Sequence, residues 1–121
     1  MKWKIIVQEC IFCKIISGSI PAKKIYESND ILVIADIAPK APVHYLIIPK
    51  KHISNIQSCD IQDQSLLGSI LLTAQHLSLN MLNNCEFKLV SNNGKTVGQS
   101  VFHIHFHFLA GGGNYLINSA V

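Results

Sequence analysis

The sequence predicts an α+β fold, a mostly antiparallel five-stranded sheet with one long and one short helix. Three observations carry this. Five short β-prone runs are separated by turn residues, a single long segment has helical periodicity, and the strands come in groups rather than alternating with helices. The chain has 121 residues, enough for one domain with a real core and too short for two ordinary ones, so residues 1–121 are expected to form one domain.

The elements follow in order. Cys10 to Ser17 is mostly apolar and closes at Gly18, which predicts a short helix with a glycine stop. Lys24 to Glu27 and Ile31 to Asp36 flank Ser28-Asn29-Asp30 and read as a hairpin. Val43 to Ile48 is a third strand between Pro42 and Pro49. Ile61 to Met81 is the long helix. Leu66, Leu67, Ile70, Leu71, Ala74, Leu77 and Met81 recur at three and four, Asp60 is its N-cap, and Asn83-Asn84 ends it. Phe87 to Val90 is a fourth strand, Ser91 to Ser100 a polar loop, and Val101 to Leu109 a fifth strand ending at Gly111-Gly112-Gly113. One long helix covers one sheet face, so the other must hold a site or be covered otherwise.

Composition narrows the function. Apolar residues are 49% and charged residues 14%, as in a chain that folds rather than stays disordered. The low charge is also compatible with a covered apolar surface, such as that between two copies. Net charge is +3, yet Lys23-Lys24 and Lys50-Lys51 lie apart without interleaved aromatics, so a nucleic-acid groove is not expected. No apolar run approaches the roughly 20 residues of a membrane span. The apolar stretch within Met1 to Glu9 is too short for a signal peptide, so a cytoplasmic protein is expected. Cys10, Cys13, Cys59 and Cys85 then read as thiols or metal ligands rather than disulfides.

The segment richest in chemistry is Gln99 to Leu109. Alternate side chains of a strand share a face, so His103, His105 and His107 point one way and Ile104, Phe106 and Phe108 the other. Imidazole titrates near pH 6.5 and serves as base, acid, nucleophile or metal ligand. Two readings stay open on spacing alone. One is a metal site, since His-x-His on a strand can chelate one ion. The other is nucleophilic catalysis with neighbouring groups as orienters and acids.

The run His103-Ile104-His105-Phe106-His107-Phe108-Leu109 resembles the histidine triad signature. Gly98-Gln99-Ser100-Val101, Ile20-Pro21-Ala22-Lys23, Asp36-Ile37-Ala38-Pro39 and Leu46-Ile47-Ile48-Pro49-Lys50-Lys51-His52-Ile53 extend the match over about residues 10–112. Together these blocks resemble the histidine triad (HIT) family, and within it the Hint branch of nucleotide-binding proteins, bacterial zinc-containing type. The resemblance implies a HIT-like fold, a homodimer and hydrolysis of a purine nucleoside phosphoramidate through a nucleotidyl-histidine. His105 falls at the nucleophile, His107 at a phosphate contact, His44 at the supporting position and Ser100 where the phosphate or departing amine is reached. Asn92 matches a phosphate-contacting asparagine, and the backbone amides of Gly98, Gln99 and Ser100 are placed to hold non-bridging oxygens. Asp36 matches the ribose-binding carboxylate, and Ile11, Phe12, Ile34 and Ile37 the residues that sandwich the base.

The resemblance also completes Cys10-x-x-Cys13 with His52 and His103 as a structural zinc site, and it implies no organic cofactor. The alternatives are a dinucleoside polyphosphate hydrolase, a non-catalytic nucleotide-binding or scaffolding module, and a metalloenzyme with catalytic zinc. The tail from Asn114 to Val121 departs from the family by lacking the tryptophan that animal members place near the partner's site.

Overall fold

The computed structural model describes residues 10–113, so the expectations for residues 1–9 and 114–121 lie outside the described residues. Helix α1 spans Ile11–Ser17. Seven residues are too few for a helix to persist alone in water. Burial of Phe12, Cys13 and Ile15 supports it, with Gly18 at φ 87° closing its end. The Cys10 sulfur caps the start by accepting the Cys13 N–H at 3.3 Å.

Strands β1 (Lys24–Glu27) and β2 (Ile31–Ala35) form the expected hairpin, and β3 is Val43–Pro49. Helix α2 (Gln64–His76) is entered through a 3₁₀ turn, Ile61–Asp63, and left through a π turn, Leu77–Met81. Asp60 and Asp63 form a reciprocal capping box at its start. Asn83 (φ 56°) and Asn84 (φ 55°) turn the chain out of it in the left-handed region, which asparagine tolerates better than most residues. Strands β4 (Lys88–Val90) and β5 (Phe106–Ala110) complete an antiparallel sheet of order β1-β2-β3-β5-β4.

Strand alternation divides the core between the two faces. Ile31, Val33, Ile47, Phe108 and Ala110 pack against Ile70 and Ala74 of α2 and Leu77 of the π turn. Leu32, Ile34, Leu46 and Ile48 pack on the other side with Phe12, Cys13 and Ile15 of α1. The second face is therefore only partly covered by α1. His44 of β3, sharing the parity of Leu46, and His107 of β5, paired with Leu46, occupy its remainder.

The fifth strand corrects the expectation of a continuous strand from Val101 to Leu109. Pairing begins only at Phe106, opposite Ile47. Two residues further along β3 stands Pro49, which has no N–H to extend a ladder. The chain from Val101 to His105 bonds elsewhere. The Ile104 N–H donates to the Ile53 carbonyl at 2.7 Å, and the Val101 carbonyl accepts from the Gln99 side chain at 3.0 Å.

Phe108 is fully buried between Phe87, stacked at 4.6 Å, and the α2 face. Phe108→Ala should lower stability by about 3–5 kcal/mol. Urea unfolding would read this as a lower midpoint at an unchanged slope.

Candidate catalytic pocket and metal centre

Each buried imidazole is oriented through one ring nitrogen, which decides what the other can do. His105 places Nδ1 2.8 Å from the carbonyl oxygen of His103. A carbonyl only accepts, so Nδ1 carries the proton and Nε2 holds the free lone pair. At His44 the main chain acts in the opposite sense. The Lys40 N–H donates to Nδ1 at 3.0 Å, so Nε2 carries the proton. That Nε2–H donates to His107 Nδ1 at 2.9 Å and lies 3.3 Å from Asp36 Oδ2, both acceptors. His107 is thereby left with its proton on Nε2. His105, with an acceptor Nε2, and His107, with a donor Nε2, have ring centroids 5.2 Å apart.

Burial keeps these rings neutral. It pushes His107 down to about 4, with the neighbouring His105 and His44 adding to the effect. It also lowers His44 and His105, although the bond to the His103 carbonyl and the Asp36 charge pull His105 back towards its ordinary value.

These groups line one pocket of about 230 Å³ that also contains Asp36, Lys40, Asn92, Gly98, Gln99 and Ser100. One Asp36 oxygen accepts the Ala38 N–H at 2.8 Å. Gly98 adopts φ 100°. The loop spends much of its polar capacity on itself, which corrects the expectation of three outward amides. The Gly98 and Gln99 amides donate to the Lys95 and Gly94 carbonyls. The buried Gln99 side chain braces the loop, donating to the Ser54 carbonyl at 2.6 Å and accepting from the Gly94 N–H at 2.9 Å. Ser100 is exposed at the pocket rim.

The four residues proposed for the base are not gathered there. Phe12 of α1 and Ile34 of β2 are core residues, with Phe12 set edge-on to His105 at 5.0 Å. Ile11 is 45% exposed beside a neighbouring hollow of about 460 Å³, which shares Ser100. Ile37 is fully exposed next to Asp36.

A second cluster sits at the other end of the histidine run. Cys10, Cys13, His52 and His103 bring their ligand atoms within 4.8 Å of one another. Cys10 Sγ is 3.4 Å from His103 Nδ1, Cys13 Sγ is 3.4 Å from His52 Nδ1, and the two Nδ1 atoms are 3.2 Å apart. Zinc bonds of about 2.3 Å to sulfur and about 2.0 Å to nitrogen, set tetrahedrally, put ligand atoms about 3.3–3.8 Å apart. The observed edges fit that figure closely. His103 Nε2 donates to the Pro49 carbonyl at 2.7 Å, the outer-shell bond that turns a ligating histidine's other nitrogen inward.

A family model described as "Scavenger mRNA decapping enzyme C-term binding" matches residues 9–117. An uncharacterized HIT-like protein of Synechocystis sp. is 43% identical over 104 residues, covering 86% of this chain and 91% of the relative. The chain belongs to the HIT family. Among solved structures, a HIT family hydrolase from Legionella pneumophila Philadelphia 1 superposes with a TM-score of 0.81 at 44% identity, covering 85% of this chain and 93% of that one. A histidine triad protein from Clostridium difficile superposes with a TM-score of 0.80 at 33% identity, covering 88% and 94%. The HIT-like fold expected from the sequence is therefore the fold observed.

Sequence reasoning missed two groups at this HIT site. Lys40 both orients His44 through its main chain and lines the pocket. Its position four residues before His44, in a proline-flanked loop after Asp36, was the available signal. The Pro49 carbonyl has no residue-type signal, since any residue carries one.

Burial of His107 has a consequence for stability. The unfolded chain takes up this proton near pH 6.5, whereas the folded chain resists it until about pH 4. Between those values the unfolded state binds more protons, so stability rises with pH. Thermal midpoints should be level above pH 6.5 and fall as pH drops towards 4. His107→Asn should make the fall shallower, and a slope unchanged in that variant would contradict the assignment.

Proposed function

We propose that this HIT-family chain is a nucleotide hydrolase that cleaves purine nucleoside phosphoramidates through a nucleotidyl-histidine. The observation that carries the reading is the 2.8 Å bond from His105 Nδ1 to the His103 carbonyl, which leaves Nε2 as a free lone pair on a neutral ring. The solved relative described as a HIT family hydrolase supports the same class of reaction.

In this reading His105 Nε2 attacks the α-phosphorus, a P–Nε2 bond forms and the P–N bond to the amine breaks. The departing nitrogen takes a proton from solvent and leaves as the amine. Water then attacks phosphorus and returns a proton to solvent, the P–Nε2 bond breaks, and the nucleoside monophosphate is released with His105 neutral again. Two easier steps replace one difficult one. His107 Nε2–H donates to a non-bridging oxygen, held in that tautomer by His44, and acts as a preorganised donor to developing charge. Asn92 and Ser100 are the other polar side chains offered to the phosphate, and Ser100 faces the departing amine. Asp36 has lone pairs left for the ribose hydroxyls, and the exposed Ile11 and Ile37 offer apolar surface to the base.

Cys10, Cys13, His52 and His103 would hold a zinc ion whose contribution is structural, fastening α1 to the segment that carries the triad. The reading includes a homodimer. Among the described residues β4 is the last strand of the sheet, and Leu71 and Leu72 of α2 and Leu79 of the π turn are exposed.

Steady-state hydrolysis of adenosine 5′-phosphoramidate tests the chemistry. His105→Ala should fall by about 10³-fold or more while remaining folded. Near-normal turnover in the folded variant would remove His105 as nucleophile. Faster turnover of dinucleoside polyphosphates by the unmodified chain would move the substrate class to that branch. For the metal, about one zinc per chain is expected by elemental analysis, with Cys13→Ser losing it and melting several degrees lower. A purified chain that binds no zinc and is indifferent to chelators would refute the site.

A further inference from the structure

Pairing of β5 with β3 starts at Phe106, so His103, Ile104 and His105 are placed by other contacts. Those contacts meet on one peptide unit, between His103 and Ile104. Its N–H, from Ile104, donates to the Ile53 carbonyl at 2.7 Å. Its carbonyl, from His103, accepts the His105 Nδ1–H at 2.8 Å. A peptide unit is planar, so its N–H and C=O turn together. Whatever holds one end of this plane aims the other end at the His105 ring.

Both anchors of the plane belong to the cysteine–histidine cluster. Ile53 directly follows His52, and His103 carries the plane's own side chain. The His103 ring is fully buried, with Nδ1 3.2 Å from His52 Nδ1, 3.4 Å from Cys10 Sγ and 3.6 Å from Cys13 Sγ. A further connection runs through α1. Phe12 lies between Cys10 and Cys13 in the chain, and its ring stands edge-on to His103 at 5.8 Å and to His105 at 5.0 Å. A cation at the centre draws the four ligand atoms together, whereas without one their converging lone pairs repel. His103 then keeps the bond from Nε2 to the Pro49 carbonyl and is able to pivot about it.

We infer that metal loading of the Cys10, Cys13, His52 and His103 cluster sets the tautomer of His105, with His52 and His103 as positioning residues that hold the His103–Ile104 peptide so that its carbonyl fixes the proton on Nδ1. This rests on the zinc and nucleophile readings above and adds a link between them. In the loaded chain Nε2 is the lone-pair nitrogen. In the metal-free chain the plane turns, the bond to Nδ1 loosens, and the proton is shared between both nitrogens. Part of the population then presents an N–H where the attacking lone pair belongs. Linkage makes the effect reciprocal, so the His105 bond to the carbonyl tightens zinc binding in turn.

The test is ¹⁵N NMR of histidine-labelled protein at about pH 8, where imidazole is neutral. A ring nitrogen that bears hydrogen resonates far from one that bears a lone pair, and H105A assigns the two His105 signals. The zinc-loaded chain should show a protonated Nδ1 and a bare Nε2. Removal of zinc by a chelator should move the two signals towards each other while the backbone amides of α2 keep their shifts. Signals that stay in place in a zinc-free chain with unchanged α2 amides overturn the inference. Competition with a chelator provides the measurement for a chain that unfolds without zinc. H105A should bind zinc about fivefold more weakly or worse, and H105N, whose side-chain amide stands in for Nδ1–H, should restore the affinity. Equal affinity in H105A and the unmodified chain overturns the link. Equal weakening in H105A and H105N assigns the effect to lost packing on Phe12 and overturns it as well. A chain that binds no zinc removes the zinc reading and this inference together, and leaves His105 as nucleophile untouched.

Discussion

The bond from His105 Nδ1 to the carbonyl of His103 spans two residues, and much of the site is arranged around it. A neutral imidazole has one proton for two nitrogens, and a ring free to tautomerise presents the wrong one part of the time. Here the main chain decides. The same principle settles His103 through the Pro49 carbonyl and His44 through the Lys40 N–H. His107 is settled at one remove, by the ring of His44. Backbone groups are good arbiters because their positions are set by the sheet and its loops, not by rotamers that can change.

Pro49 matters on both sides of this arrangement. Lacking an N–H, it stops the ladder between β3 and β5 and lets the chain from Val101 to His105 leave the sheet. Its carbonyl is then available to His103. Had the ladder continued, His103 would have stood on a flat strand with the other two histidines. Instead it drops to the Cys10, Cys13 and His52 cluster, while His105 and His107 stay with His44. One run of alternating residues thus serves two centres.

Burial supplies the electrostatics. The sheet face that carries the rings is shielded by α1 on one side, where Phe12 lies edge-on to both His103 and His105. Removing water disfavours the imidazolium form and keeps the lone pairs in play. Asp36 moderates this for His44, His105 and His107, and Lys40 reinforces it at His44 and His107. The opposite face has no such task and is filled by Phe108, Ile47 and the apolar stripe of α2.

Much of this was legible in the residues themselves. Period-two and period-four apolar patterns, Gly18, Asp60 and Asn83-Asn84 mark elements because they act within one or two turns of the chain, and local rules govern them. The candidate site residues were legible as types and spacings: three alternating histidines, a Cys-x-x-Cys, a lone His44. What no spacing contains is which nitrogen faces which atom. That depends on contacts between residues far apart in sequence, such as His44 with His107 or Cys10 with His103. The inward bracing of Gln99, the early end of β5 and the place of Lys40 in the pocket belong to the same class. Residue type and period determined the elements and the inventory of reactive groups. Only the tertiary structure decided which ring nitrogens carry protons, how the Gln99 loop is braced and where the ladder of β5 begins, because hydrogen bonding and desolvation are properties of neighbours that the chain brings together by folding.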